Sequence, residues 1–419
     1  MGVATTYNPP DNAAARPSAD GEPEPSSLPS PRARFNAFLL AAVLAAPQAF
    51  SADAIPETTA PSSLAPTTVV TPLRDAPAAP APAAATAPAR QPIAEGPAPH
   101  VALILPLSSP ALGRLADAVR QGFLAAREVA GRNALPVRTY PAVDDGRATL
   151  ELCLQAQRGG AVLVVAGLTR DGATGLARSD CPRQPTLVLN QPQDPEMPAR
   201  MYSISLSAEQ EARQVALMAI NDGWRAAIVI ASPSPLGRRV SEAFEREWAR
   251  AAGEARRVSF AGGTDEAPAI KERIAALRGD MVFLALDQAS TRAVRPYISG
   301  TLPLYTTSLG VDPRADPTVN VDLEGVRYVD MPWFVQPDHP AVMVYPAPSS
   351  AMSVEQERLY ALGIDAYRLS GLLLQADLKS FALDGVTGRI ALDAERHFTR
   401  SLVPAGFDSG RAVPLSAAQ

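Results

Sequence analysis

From residue 100 onward, short unbroken apolar runs alternate with amphipathic stretches of helical period, and this alternation constrains the fold of the 419-residue chain more than any other feature. The first unit is the segment HVALILPLSSPALGRLADAVRQGFLAAR at 100–127. Residues 101–105 carry no polar side chain, as a strand covered on both faces requires. Pro106 stops the ladder. Ser109-Pro110 then reads as a helix start, a hydroxyl for free backbone N–H groups followed by proline at the first helical position. Leu112, Leu115, Val119 and Phe123 recur on one face of the helix that follows. A strand entering a helix through a polar loop is half of a βαβ unit, and in open α/β sheets such loops line ligand crevices.

The rhythm continues with strands at 137–140, 161–165, 186–190 and 201–205 and a helix at 148–157. A second set follows: helix 208–221, stopped by Asp222-Gly223, strand 226–231, helix 236–252, strand 255–260, helix 266–277, strand 281–286, helix 290–299 and strand 304–306. Such alternation is the mark of doubly wound parallel sheets. Residues 325–333 read as one more strand and 353–376 as a long helix with Leu359, Leu362, Ala366, Leu369 and Leu373 on a stripe. The tail turns β-like, Gly385-Val386-Thr387-Gly388 leading into 389–392, with a turn at 393–396 and a returning strand at 397–402. The expected fold class is α/β, with two doubly wound parallel-sheet lobes on the type I periplasmic binding protein plan and a C-terminal β-hairpin. Lobe 1 is expected over 100–206 plus about 330–380, and lobe 2 over 207–329 plus about 381–412.

Ahead of residue 100 the character changes. That quarter of the chain holds 19 of the 42 prolines, among Ala, Ser and Thr with hardly any periodic apolar pattern, so it is not expected to build a core. Within 1–54, Arg32 and Arg34 precede an apolar stretch at 35–46 and small residues at 49–54, the layout of a secretory signal. The stretch is shorter than the roughly 20 residues of a membrane-spanning helix, so export to the periplasm without a stable membrane span is expected. Residues 55–99 read as a Pro/Ala-rich linker, and no Cys sits after the apolar stretch at a lipid-acceptor position. Net charge is formally −5 and the basic residues form no run, which disfavours nucleic acid and acidic membrane surfaces as partners.

Chemistry-bearing motifs are missing: there is no phosphate loop, no G-x-G-x-x-G after a strand, no H-E-x-x-H and no G-x-S-x-G elbow. No catalytic residue, metal site or cofactor is therefore expected. His339, between prolines, and His397, in the terminal hairpin, read as solvated or packed, and Asp144-Asp145 before Gly146 as a turn or helix cap. Cys153 and Cys181, the only cysteines, are a candidate disulfide in an exported chain; a buried helix thiol beside an unrelated loop thiol is the alternative. Candidate cleft residues sit where strands end: Ser108, Ser109, Gly167, Thr169, Asn190 and Gln191 from the first lobe, Ser232, Ser234 and Asp287 from the second. The same residue types also serve as caps and turns, and that reading stands beside the ligand reading. Trp333 and Phe334 are candidates for a partner-facing anchor or, alternatively, for a core.

Three segments together resemble a known family: the opening at 100–127, ERLYALGIDAYRL at 357–369 and DGVTGRIALDAERHFTRSLVPAGFDSG at 384–410. The chain resembles the penicillin-binding protein activators, also called LppC or LpoA lipoproteins, over about residues 100–412. The resemblance implies a non-enzymatic envelope protein that stimulates a class A bifunctional penicillin-binding protein and so promotes peptidoglycan cross-linking. Family members also carry an N-terminal helical repeat domain and a lipidated Cys, which this chain replaces with its Pro/Ala segment, so outer-membrane anchoring is not carried over. A solute-binding receptor for an amino acid or similar small polar ligand is the alternative that the same fold allows.

Overall fold

The computed structural model describes residues 97–415, apart from 182, 194–195, 252, 264 and 376–380. The signal expected within 1–54 and all but 97–99 of the linker expected at 55–99 lie outside the described residues.

Two sheets organise the chain. In the first, β1 (His100–Leu105), β2 (Val137–Pro141), β3 (Ala161–Ala166), β4 (Thr186–Val188) and β5 (Met201–Ile204) run parallel in the order β5-β4-β3-β1-β2. In the second, β6 (Ala227–Ala231), β7 (Ala255–Ser259), β8 (Met281–Ala285), β9 (Leu304–Thr306) and β10 (Val326–Asp330) run parallel in the order β10-β9-β8-β6-β7. The helices between them are α1 (Gly113–Val129), α2 (Arg147–Arg158), α3 (Arg170–Ala177), α4 (Ala208–Asn221), α5 (Pro235–Ala251), α6 (Ala267–Ala275) and α7 (Gln288–Val294). Three one-turn helices follow, α8 (Pro317–Asn320), α9 (Pro332–Val335) and α10 (Pro340–Met343), before the long α11 (Val354–Leu373). Every residue of β1, β6 and β8 is buried, because helices cover both faces of each sheet. The apolar core of the first sheet accordingly splits into one cluster under α1 and α11 and another under α2 and α3.

The tail departs from its expected place. The hairpin expected from 389–392 and 397–402 forms, but its strands do not join the second lobe, the expected place of about 381–412. Instead β11 (Ala382–Gly385), β12 (Gly388–Leu392) and β13 (His397–Ser401) extend the first sheet, β13 lying parallel to β5. Only β14 (Val403–Asp408) and β15 (Arg411–Pro414) cross to the second sheet, antiparallel to β10 and to each other. The reason is local: Leu402 N–H donates to Gln214 Oε1 at 2.8 Å, and Gln214 Nε2 donates to the Arg400 carbonyl at 2.9 Å, so α4 holds the strand at the point where it changes sheets.

Two boundaries also differ. Helix α1 begins at Gly113 rather than at Pro110, since residues 109–112 form a turn that folds back on Leu107; a Cβ at Gly113 would meet the Leu107 carbonyl oxygen at 2.9 Å. The strand read over 325–333 ends at Asp330, where Pro332 opens α9 at its first turn.

The second helix of the pair that seals the first lobe is α11. Its expected single stripe turns out to be burial on nearly all sides: Leu362, Ala366 and Leu369 serve the core of the first sheet, while Tyr360, Ala361 and Ile364 serve that of the second. Close approach to α1 depends on two glycines. A Cβ on Gly122 would collide with the Tyr360 carbonyl, and one on Gly363 with the Val119 carbonyl. Capping is complete at the start of α11, where Ser353 accepts from Gln356 N–H at 3.3 Å and Gln356 accepts from Ser353 N–H at 2.9 Å.

Candidate functional site

Strand carboxyl ends of both sheets meet around two adjoining cavities. The first, of 440 Å³, is walled by the loops after β6, β8 and β9 together with Glu355 at the start of α11; Ser232, Asp287 and Thr307 are among its lining residues. The second, of 510 Å³, lies between the lobes, with Leu168, Arg170 and Asn190 from the first, Arg239 and Leu309 from the second, and the crossover residues Ser205 to Glu209. Leu236 and Leu309 line both, so the two cavities adjoin at these side chains and together make up the groove between the strand ends.

The expected cleft residues are partly assembled there. Asn190 lines the inter-lobe cavity and Ser232, Ser234 and Asp287 line the other. Gly167, Thr169 and Gln191 flank the groove without lining either cavity, and neither do Ser108 and Ser109. Most of the polar atoms are spent on the backbone. Thr169 Oγ1 accepts from Gly172 N–H at 3.0 Å and Asp287 Oδ1 from Ser290 N–H at 2.8 Å, capping α3 and α7. Ser234 Oγ accepts from Gly237 N–H at 3.0 Å, Ser232 Oγ from Ser234 N–H at 3.2 Å and Ser109 Oγ from Leu112 N–H at 3.3 Å. Asn190 bridges the Leu168 carbonyl and Gln191 N–H at 3.0 and 2.9 Å. Gly167 has φ +68°, a left-handed turn that only glycine adopts without strain, and it releases the chain from β3 into α3.

The groove's charges come from residues that the sequence pattern did not single out. Glu209, in the first turn of α4, accepts from Arg239 Nε at 2.8 Å and lies 3.7 Å from Arg170 Nη2, an ion pair that joins the lobes. Burial alone would raise the Glu209 pKa, but hydrogen bonds from Arg239, its own backbone N–H and Ser207, together with the Arg239 charge, outweigh it and hold the carboxylate below its ordinary range.

Behind the groove, the crossovers pass through a buried charge cluster. Arg358 of α11 pairs with Asp330 at the end of β10, Nη2 to Oδ2 at 2.9 Å and Nη1 to Oδ1. Arg400 of β13 donates Nε to the Ser205 carbonyl at 2.9 Å and Nη1 to the Thr387 carbonyl at 3.0 Å. Glu211 accepts from Ser308 N–H and Oγ at 3.1 and 2.7 Å. Asp365 accepts from Thr387 N–H and Oγ1 at 2.8 and 2.7 Å and from Val386 N–H at 3.1 Å. Burial pushes the Glu211 pKa up against the opposing pull of Arg358 and Arg400, and pushes Asp365 up against its hydrogen bonds from Thr387. A trace of this was present in the sequence: Arg358 and Asp365 fall at helical spacing with Leu362 and Leu369, which puts charge on an otherwise apolar face of α11.

Three further candidates resolve plainly. Cys153 and Cys181 are joined in a disulfide with Cα atoms 6.3 Å apart, tying α2 to the loop before β4. Trp333 and Phe334 are not a partner surface: each is 6% exposed, packed in the core of the second lobe. Trp333 Nε1 donates to Glu357 at 3.3 Å, and the guanidiniums of Arg358 and Arg314 lie 4.7 and 5.0 Å from the Phe334 ring centre. Asp144 accepts from Gly146 and Ala148 N–H at 2.8 and 3.2 Å, the turn and cap expected of it.

Two mostly parallel α/β sheets, three crossovers and a groove at the strand carboxyl ends define a type I periplasmic-binding-protein-like fold. The family model described as LppC putative lipoprotein matches residues 81–279 and 274–410, and the chain belongs to that family. Among curated relatives, "Penicillin-binding protein activator LpoA" of Pantoea ananatis is 26% identical over 393 residues, covering 79% of this chain and 58% of that protein. The protein of the same name from Yersinia pseudotuberculosis is 25% identical over 402 residues, covering 75% and 61%. The chain thus spans about three fifths of the length of these relatives. Full-length LpoA of Haemophilus influenzae superposes with TM-score 0.65 at 22% identity, covering 77% of this chain and 60% of that one. A "putative branched-chain amino acid ABC transporter" of Chromobacterium violaceum superposes with TM-score 0.64 at 36% identity, covering 74% and 99%.

Proposed function

We propose that this chain is a non-enzymatic regulator of peptidoglycan synthesis, acting by contact with a class A bifunctional penicillin-binding protein in the periplasm. The observation that carries the reading is membership of the LppC family across both lobes, with curated relatives named as penicillin-binding protein activators. One solved relative, the Haemophilus influenzae C-domain, is described as a regulator of PBP1A. The site chemistry supports the same reading, since the serines, threonine and asparagine expected at the groove are engaged as caps and turns. Among the described residues no helix is long and apolar enough to cross a membrane. An exported chain with its lobes on a Pro/Ala-rich lead fits this role.

A second reading, a solute-binding receptor for an amino acid or similar small polar ligand, has the 36% identical Chromobacterium violaceum structure behind it. Fold alone does not separate the two. The deciding experiment adds the purified chain to a class A penicillin-binding protein of its own organism and follows cross-linking of a lipid-linked precursor. A rise in cross-linking rate with complex formation is expected; neither binding nor a change in rate would sink the activator reading.

A further inference from the structure

The groove is polar at its two ends in opposite senses. At one end stand Asp287 and Glu355, and among the described residues neither carboxylate belongs to an ion pair. Only one oxygen of Asp287 is committed, to the cap of α7. At the other end two guanidiniums, Arg170 and Arg239, share the single carboxylate of Glu209, which leaves an excess of positive charge. Between them, where the cavities join, Leu236 and Leu309 are left 40% and 36% exposed, large apolar side chains on a wall rather than in a core. Thr307 lines the acidic cavity, is 1% exposed, and its buried hydroxyl has no hydrogen-bond partner within the protein, an arrangement that costs free energy unless something supplies one.

Acid at one end, base at the other and leucines between match a zwitterion with an apolar middle. Cavities of 440 and 510 Å³ are each in the range that holds drug-sized ligands, so the groove is too large for an inorganic ion or one small amino acid to fill. We propose that the groove binds a short peptide with free termini, its ammonium at Asp287 and Glu355, its carboxylate at Arg170 and Arg239, and an apolar side chain on Leu236 and Leu309. Because it draws on residues of both lobes, occupancy would report to the surfaces of both, whichever partner those surfaces meet. The proposal stands independently of the activator reading.

The test is calorimetry on the full chain with four probes: Ala-Leu-Ala, its N-acetyl form, its C-terminal amide, and free leucine. The unblocked tripeptide is expected to bind one to one, and each block to weaken it about tenfold or more, the worth of a lost charge-assisted hydrogen bond. Asp287→Asn keeps a residue that caps helices equally well. It is expected to weaken the free tripeptide to a similar extent while leaving the N-acetyl form unchanged, and Arg239→Gln to do the same with respect to the amide. Absence of binding by the unblocked tripeptide, equal binding of blocked and free forms, or free leucine binding as tightly as the tripeptide would each overturn the proposal. The internal comparison between probes keeps the outcome independent of any change in stability caused by the substitutions.

Discussion

Arg358→Met isolates the contribution of the charge cluster through which the chain passes between lobes. Asp330 is 1% exposed and Arg358 9%, and the pair is joined by two parallel hydrogen bonds. Removing the guanidinium leaves the Asp330 carboxylate buried with Met331 N–H at 2.8 Å as its one remaining close donor among those bonds. Stranding one member of a buried pair costs about 3–5 kcal/mol. Loss of the guanidinium from the face of Phe334 adds about 0.5–2 kcal/mol. Against a total stability of about 5–15 kcal/mol, about a quarter or more of the folding free energy should disappear. Replacing both partners, Asp330→Leu with Arg358→Met, removes the stranded charge and should return to within about 2 kcal/mol of the parent. Urea unfolding followed by tryptophan fluorescence, with the four proteins of the cycle side by side, measures the coupling. A single variant within about 1 kcal/mol of the parent, or a double variant as costly as the sum of its singles, would refute the reasoning.

Three further outcomes follow from the same geometry. Glu211→Gln should make stability less dependent on pH: burial raises the Glu211 pKa above its unfolded value, so its contribution is fully present below the unfolded pKa of about 4.3 and is lost as pH rises through the folded pKa. The variant should therefore gain on the parent at neutral pH, and a gap that widens on acidification would contradict this. Cys153→Ser should cost about 3–4 kcal/mol by the loop-entropy relation for a 28-residue separation; a reductant that shifts the variant's urea midpoint as far as the parent's would argue against the bond. Trp333→Ala should cost about 3–5 kcal/mol as a core truncation, and unchanged stability with loss of synthase binding would restore the partner-surface reading that the burial rejects.

How far the site was legible before folding can be argued from particular residues. Thr169, Ser234 and Asp287 were found because strand ends and helix starts are local events, and the same local chemistry explains why they are caps first. Arg170, Glu209 and Arg239 were missed because their only distinction is mutual: Arg170 meets Glu209 across the cleft and Arg239 meets it from α5, pairings with no fixed spacing along the chain. Asp330 and Arg358 are 28 residues apart and Arg400 and Glu211 are farther still, so only α11's charged positions amid leucines hinted that they are buried. Trp333 and Phe334 illustrate the converse, since a conspicuous aromatic pair has the same sequence whether it faces a partner or a core.

What the sequence determined by itself was the succession of elements and the two-lobed α/β plan. Continuous apolar runs, helical periodicity and cap residues act over a few positions, so β1, α4 and β9 lie within a residue of where local patterning puts them. Tertiary structure decided where the tail goes, which lobe each terminal strand joins, and what α11 buries. Those outcomes depend on close backbone approach at Gly122 and Gly363, on Gln214 clamping the last crossover, and on charges that neutralise one another only once distant segments are packed together. Such interactions have no period to read, because their energy comes from desolvation and contact between residues that the chain itself keeps far apart.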